Sequence, residues 1–439
     1  MKRILSVFLC VFMTVLLCSC KKIDFSDYSS IVQTIEDKAE SIIADKFDVD
    51  ISGIKVENIP VQPSENELIL NNADDRVWTL ESTPVKSSSK RPLYYDCITK
   101  EQRRIYSVLL TAANKMTTGW ISLGNCKNTY QDDISVAYRA LMSDYPDLFW
   151  LPSSYFLGNR GKPYSDILIA FCYHNDGGNC DYIIKKDDKN KMKTELETVV
   201  SDIVQGAKGL ESIYEKELYI HDRICEKASY EVTDDTLIYT AYGALVTGRA
   251  VCEGYSRAMQ LVCDKVGIPC VLVYGDASGE GHMWNLVSIN DEWYHLDVTW
   301  DDTDDKIYRT YFNVCDSEIL ESHTEYDTYI PQIDKTIPDG DKYNLLSFIC
   351  DKTDFNFFNI NGYILDSNGN NTVKTISDEY SKGKNFAQLK VEDEQLLSVL
   401  KLTHTPYIVK IQAKLARKYG KNIIINGISI TNNVVTFYW

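Results

Sequence analysis

"TGRAVCEGYS", Thr247 to Ser256, sets one cysteine among small residues just ahead of an apolar-periodic run. In that run, "YSRAMQLVCDKVG", Met259, Val262, Cys263 and Val266 fall on one face and Gly267 ends the pattern, as in an amphipathic helix closed by glycine. Cys252 therefore stands at a helix start. Beyond Gly267, "IPCVLVYGDA", "GHMWNLVSI" and "EWYHLDVTW" read as strands, the last two joined by a tight "NDE" turn. A helix that opens on a cysteine and leads into an antiparallel meander organises the reading of the rest.

The placement has chemical meaning. A thiol is nucleophilic as thiolate, and the positive end of a helix together with a neighbouring imidazolium favours that form. His282 follows thirty residues later at a strand start beside "GEG", and Asp297 fifteen residues after that on the antiparallel neighbour. A carboxylate on an adjacent strand orients an imidazole and stabilises its charged form. The order is Cys, His, Asp.

"GRAVCEGYSRAMQLV", "GHMWNLV" and "WYHLDVTWDD", in this order and spacing, resemble the three signature segments of the transglutaminase-like superfamily. Upstream, "IHDRICEKASYE" and "AYGALVTG" resemble the flanking helices of bacterial members, so the likeness covers roughly residues 205 to 315. It implies an α+β fold: a papain-like core in which the cysteine helix packs on an antiparallel sheet, flanked by smaller α/β units. It also implies Cys252 as nucleophile, His282 as general base and acid, and Asp297 as the orienting carboxylate.

Other residues of these segments admit two readings. Trp284 shares the strand parity of His282, so it either walls the cleft or fills core. His295 shares parity with Asp297 and is read as structural. Gly254 makes room for close helix packing or for substrate backbone. The Cys252 N–H is the natural oxyanion donor, and Tyr242 is a candidate for the second by nearness in sequence. "WDDTDDK" gathers Asp301, Asp302, Asp304 and Asp305 but lacks the EF-hand pattern, and reads as a solvated acidic loop. No metal or organic cofactor is expected.

The 439-residue length predicts several domains, and a formal net charge of −17 argues against nucleic-acid binding. "MKR" and the apolar run after it read as a signal segment, and "LCSC" resembles a bacterial lipobox, which makes Cys20 the lipidated residue. The body is then expected outside the cytoplasm, tethered to the membrane through that lipid. Of thirteen cysteines none forms a CxxC pair, so a zinc site is not indicated. The expected divisions are a signal peptide (1–19), an N-terminal helix and linker (20–92), an α+β unit (93–195), the core (196–335) and a C-terminal α/β unit (336–439). Within the last, "FNFFNINGYIL" reads as a strand and "IIINGISITNNVVTFYW" as a closing hairpin.

These readings converge on acyl transfer through a thioester with a protein or peptide substrate, cell-wall peptides included. Release to water makes a peptidase or amidase, and release to an amine makes a crosslinker. Hydrolysis is favoured, because nothing in the sequence suggests an amine site. A surface binding module without catalysis is the alternative from another class.

Overall fold

Short strands come first among the described residues. The structure, a computed structural model, describes residues 67–69, 77–81, 85, 94–126, 130–152, 155–160, 165–171, 182–303, 306–325, 348–420 and 423–439. All belong to one compact unit, Ile59–Trp439. The signal segment with Cys20 and the helix expected at 28–47 lie outside the described residues.

The first part comprises β1 (Glu67–Ile69), β2 (Val77–Trp78), α1 (Tyr94–Cys97), α2 (Lys100–Lys115), β3 (Trp120–Gly124), α3 (Tyr130–Asp144), β4 (Phe156–Asn159) and β5 (Ile167–Ala170). Its strands form one sheet in the order β1-β4-β5-β3-β2. Helix α2 starts at a capping box, in which Thr99 Oγ1 accepts from the Gln102 N–H and Gln102 Oε1 accepts from the Thr99 N–H. After β5, residues 182–186 pair with no strand, and the buried Tyr182 donates its hydroxyl to Thr117 O.

Next come α4 (Lys189–Ala207), α5 (Ile213–Lys227), β6 (Ser229–Tyr230) and β7 (Arg249–Ala250), with a 3-10 turn over Thr236–Tyr239 and a π turn over Gly243–Thr247 between the two strands. Leu196, Val200, Ile203 and Ala207 form the buried stripe of α4, at the three- and four-residue spacing of an amphipathic helix. Ser212 and Glu215 form a second capping box at the start of α5.

Helix α6 (Cys252–Val266) then opens the centre, followed by β8 (Cys270–Ala277), β9 (Glu280–Ile289), β10 (Glu292–Leu296), α7 (Val298–Asp301), β11 (Asp302–Thr303), β12 (Lys306–Ile307), β13 (Phe312–Val314), α8 (Asp316–Ile319) and β14 (His323–Glu325). The sheet order is β13-β10-β9-β8-β14, antiparallel throughout. Positive φ at Asn290 and Asp291 makes the β9–β10 hairpin tight. Helix α6 packs on β9 and β8. One continuous apolar core runs from Tyr94 to Phe312, so the first sheet and the cysteine helix share their interior.

The C-terminal part has its own core, centred on Leu389, Ile411, Leu415 and Phe437. It contains α9 (Phe357–Asn361), α10 (Asn370–Ser381), β15 (Phe386–Lys390), α11 (Glu394–Leu402), α12 (Thr405–Tyr419), β16 (Gly427–Thr431) and β17 (Val434–Tyr438), with sheet order β15-β17-β16. The closing hairpin forms. "FNFFNINGYIL" does not form the expected strand, because Asn356 Oδ1 caps the Phe358 N–H and Gly362 at φ 62° ends a short helix between them. Tyr308 and Tyr438 hydroxyls 2.9 Å apart, and an Arg309 N–H bond to Gln388 Oε1 at 2.8 Å, join this part to the centre. Among the described residues no helix is long and apolar enough to cross a membrane.

Gly254 sits where α6 crosses the 3-10 turn. A Cβ there would run into the carbonyl oxygens of Ile238 and Thr240, and the Val251 N–H is already bonded to Ile238 O at 3.0 Å. Gly254→Ala is expected to cost about 1–3 kcal/mol in urea unfolding, the usual range for overpacking. Gly427→Ala, where a Cβ meets nothing within 4 Å, is the matched control and is expected near neutral.

Candidate active site

Cys252 is the first residue of α6, after Val251 in extended conformation. Val251 offers no side-chain cap, and the N–H groups of the first helical turn have no acceptor within the helix, so they are free to bind an anion beside the thiol. The turn is fastened to β9. The Ser256 hydroxyl lies 2.9 Å from both Cys252 O and Met283 O, and Asn285 Nδ2 donates to Ser256 O at 3.1 Å. Ser256 and Asn285 thus set the distance between the cysteine and the strand that carries His282.

His282 and Asp297 meet at the open end of the hairpin. His282 lies on β9 opposite Gly275 of β8, and Asp297 follows β10 as the N-cap of α7. Asp297 is therefore a helix cap, where the sequence suggested a strand residue. Its Oδ1 accepts from the Thr299 and Trp300 N–H groups at 3.0 and 3.2 Å, and its Oδ2 takes His282 Nε2 at 2.8 Å. An ionised carboxylate only accepts, so Nε2 carries a proton and Nδ1 is left for Cys252, whose side chain hydrogen-bonds the ring. Burial disfavours the imidazolium, but the Asp297 charge and bond, with the Cys252 bond, outweigh it and push the His282 pKa up to about 10. Burial likewise opposes ionisation of Asp297, yet the His282 charge and the histidine bonds hold its carboxyl well below the usual range. The structure thus brings Cys252, His282 and Asp297 together, with His282 bonded to Asp297 and Cys252 acting on the protonation of the same ring.

His323, which sequence reading missed, joins them from edge strand β14. Its Nε2 lies 3.0 Å from the same Asp297 Oδ2, and its Nδ1 is 2.9 Å from Ser322 Oγ. Trp284 underlies both histidines, with ring centroids 6.1 Å from His282 and 5.0 Å from His323. It is fully buried, so it is core and floor at once. A Cβ on Gly275 would strike the Trp284 ring and the Thr324 carbonyl, which is why β8 has no side chain there.

The remaining candidates go elsewhere. The Tyr242 hydroxyl donates to Glu195 Oε2 at 2.6 Å and its ring stacks on Phe149, so the structure gives it to α4. His295 is buried between Trp284 and Asp316. Asp301, expected in a solvated loop, is fully buried: its Oδ1 accepts from the Tyr311 N–H at 2.9 Å and its Oδ2 faces His221 Nε2 at 3.4 Å. The correction has a simple cause, since residues 298–301 form α7 and turn that carboxylate toward α5.

Tyr230 was also passed over. It ends β6, whose partner β7 runs into Cys252, and its phenol is pushed up to about 12 by partial burial and by the charges of Cys252, Glu280, Tyr239 and Asp297. That ring is half exposed and within electrostatic reach of the thiol. The "ASYE" segment was the available signal, as the end of the preceding helix.

Among the described residues, two groups of side chains have ligand-type atoms within 4.8 Å of one another, His282/Asp297/His323 and His295/Asp316/Cys350. In the second, the Trp284 indole N–H donates to His295 Nδ1 at 3.0 Å, which leaves the His295 proton on Nε2, pointing at Asp316 Oδ1. A metal at Nε2 would need that proton on Nδ1, where the indole already donates. In the first, hydrogen bonds onto one carboxylate oxygen account for the spacing. The donor chemistry of both is that of hydrogen-bond networks.

Residues 198–298 match the transglutaminase-like superfamily. The core is transglutaminase-like and the fold α+β. Kyphoscoliosis peptidase of Mus musculus is 29% identical over 125 residues, and that of Homo sapiens 27% over 124, each match covering 25% of this chain. The chain spans 18% of the length of these relatives. Among solved structures, a TGase aligns at 14% identity and TM-score 0.24 over 44% of this chain and 54% of its own. Menin, in a structure that reveals its binding site for the Mixed Lineage Leukemia protein, aligns at 18% identity and TM-score 0.21 over 28% of each chain.

The His282 shift has a definite pH signature. A group whose pKa rises from 6.5 to about 10 on folding contributes stability that is complete below 6.5 and is lost as pH climbs to about 10. The difference in unfolding free energy between wild type and His282→Ala is expected to shrink across that window, as measured by urea unfolding at successive pH values. In Asp297→Asn the imidazole titration, followed by histidine NMR, is expected to fall by several pH units.

Proposed function

We propose that the protein is a cysteine acyl-transfer enzyme that hydrolyses peptide or amide bonds through Cys252, His282 and Asp297. The observation that carries the reading is the buried His282–Asp297 pair, 2.8 Å apart, with the ring's other nitrogen left to a free, half-exposed Cys252 at a helix start.

In the proposed reaction the thiol proton already rests on His282 Nδ1, as the raised basicity of the ring favours, and the Cys252 thiolate adds to the carbonyl carbon. The oxyanion is met by the free N–H groups that begin α6. The imidazolium returns its proton to the leaving amine as the C–N bond breaks, which leaves an acyl thioester. Water then gives a proton to His282 and adds to the thioester, and collapse expels the thiol and frees the acid. Asp297 keeps the ring in the tautomer that makes both transfers possible. Tyr230, partly exposed and within electrostatic reach of the thiol, is proposed to line the approach for substrate.

The substrate class is protein or peptide, cell-wall peptides included, and the working location is a membrane surface outside the cytoplasm, reached through lipid on Cys20. That location is read from residues 1–20 alone. Crosslinking to an amine uses the same thioester and differs only in the acceptor.

The test uses the soluble protein beginning after Cys20 and compares wild type, Cys252→Ala and His282→Ala on a fluorogenic peptide library, with and without a labelled primary amine. Peptide cleavage is expected, lowered about a thousandfold or more by either substitution. Amine incorporation without cleavage would redirect the reading to crosslinking. Equal inactivity of all three, with iodoacetamide labelling of Cys252 at pH 6 indifferent to His282→Ala, would sink catalysis and leave a binding module.

A further inference from the structure

We infer that His323 is a positioning residue of this site: by donating to the same Asp297 oxygen as His282, it holds the carboxylate in place and limits how tightly His282 keeps its proton. The inference rests on the acyl-transfer reading above and adds a second histidine that acts only through Asp297.

The geometry leaves His323 little else to do. Asp297 is fully buried and its Oδ2 has ring nitrogens at 2.8 and 3.0 Å, so each Nε2 must present a proton to it. The rings sit 5.4 Å apart, arriving from β9 and β14 on either side of β8. Trp300, Trp284 and Tyr311 box the His323 ring at 4.6, 5.0 and 5.3 Å, and with 1% exposure it cannot reach a substrate. Ser322 Oγ stands 2.9 Å from Nδ1, with the Tyr311 hydroxyl 3.3 Å from it and placed to donate in turn. A Ser322 hydroxyl donated to Nδ1 keeps the His323 proton on Nε2, where Asp297 needs it.

The chemical consequence follows from what His282 must do. It takes a proton and then gives it up to the leaving amine, so too basic an imidazole stalls the second transfer. A buried carboxylate bonded to one histidine alone would make that ring very basic. A second N–H on the same oxygen draws part of the charge away and turns its positive end toward the His282 proton. Among the described residues, ionisable groups that act on the pair are Cys252 from α6, Tyr230 from β6 and Tyr311 ahead of β13, while the hydrogen bonds to Oδ2 come from the two histidines.

The test reads protonation and needs no turnover. In histidine-labelled protein the His282 ring is followed by NMR around pH 10 in wild type, His323→Phe, His323→Gln and Ser322→Ala. Phe keeps the ring volume and removes the donor, Gln restores an N–H near Nε2, and Ser322→Ala frees the His323 tautomer. His323→Phe is expected to raise the His282 titration by about one pH unit, Ser322→Ala by less, and His323→Gln to restore it to near the wild-type value. A folded His323→Phe protein with unchanged titration overturns the inference, as does unchanged titration in Ser322→Ala should the Phe variant fail to fold. Failure of the underlying reading shows separately: Cys252 labelling in wild type would then be indifferent to His282→Ala, whatever His323 does.

Discussion

A single buried carboxylate organises this site. Asp297 has no exposed surface and keeps its charge only because donors surround it: the Thr299 and Trp300 N–H groups on one oxygen and two imidazoles on the other. Each donor comes from an element with its own reason to be there. The N–H pair requires the short helix α7, His282 requires the β9 register, and His323 requires the edge strand to pair with β8. An uncompensated charge at this depth would cost several kcal/mol, so the carboxylate penalises any packing that leaves out one of these elements.

A second polar layer lies behind it. α5 carries Glu217, His221 and Cys225 on its buried face with the partly exposed Asp222 beside them; His221 stands between Asp222 and Asp301, and Arg309 reaches Asp222 at 2.6 Å. The Cys225 thiol lies 3.9 Å from Val298 O, the first carbonyl of α7. Arg309 also hands its N–H to Gln388 of the C-terminal part. The helix that Asp297 caps is thus braced from α5 and, through Arg309, from Gln388 of the C-terminal part. This also explains why "WDDTDDK" is not a simple acidic loop: Asp301 belongs to the brace, and Asp302 accepts the Tyr255 hydroxyl at 2.5 Å.

The centre of the fold was legible because its signals are local. Cys252 at a helix start, Gly267 as its stop, and two strands around "NDE" are all written within a few residues of where they act, and the structure has them there. What escaped depends on pairing at a distance. His323 reaches Asp297 from a three-residue edge strand that no periodicity announces, and Tyr242 lies near Cys252 in sequence while its hydroxyl turns to Glu195. In "FNFFNINGYIL" aromatic β-propensity pointed to a strand, but an asparagine cap and a glycine stop six residues apart decide the local conformation. The cysteines show the same division. α6 separates Cys252 from Cys263 by about 16 Å of helix rise, too far for a disulfide, and Cys263 and Cys270 of the adjoining strand are both buried free thiols.

That arrangement sorts the thiols by chemical addressability. Of the eight described cysteines, seven are buried and Cys252 alone reaches the half-exposed class. An electrophile or oxidant arriving from solvent meets one sulfur before the others, so this part of the protein behaves toward reagents as a single-thiol surface. Thiols inside the wall are shielded by the packing that supports the site. Loosening that packing would be registered first as a loss of selectivity, when sulfurs that the folded protein hides begin to compete for the same reagent.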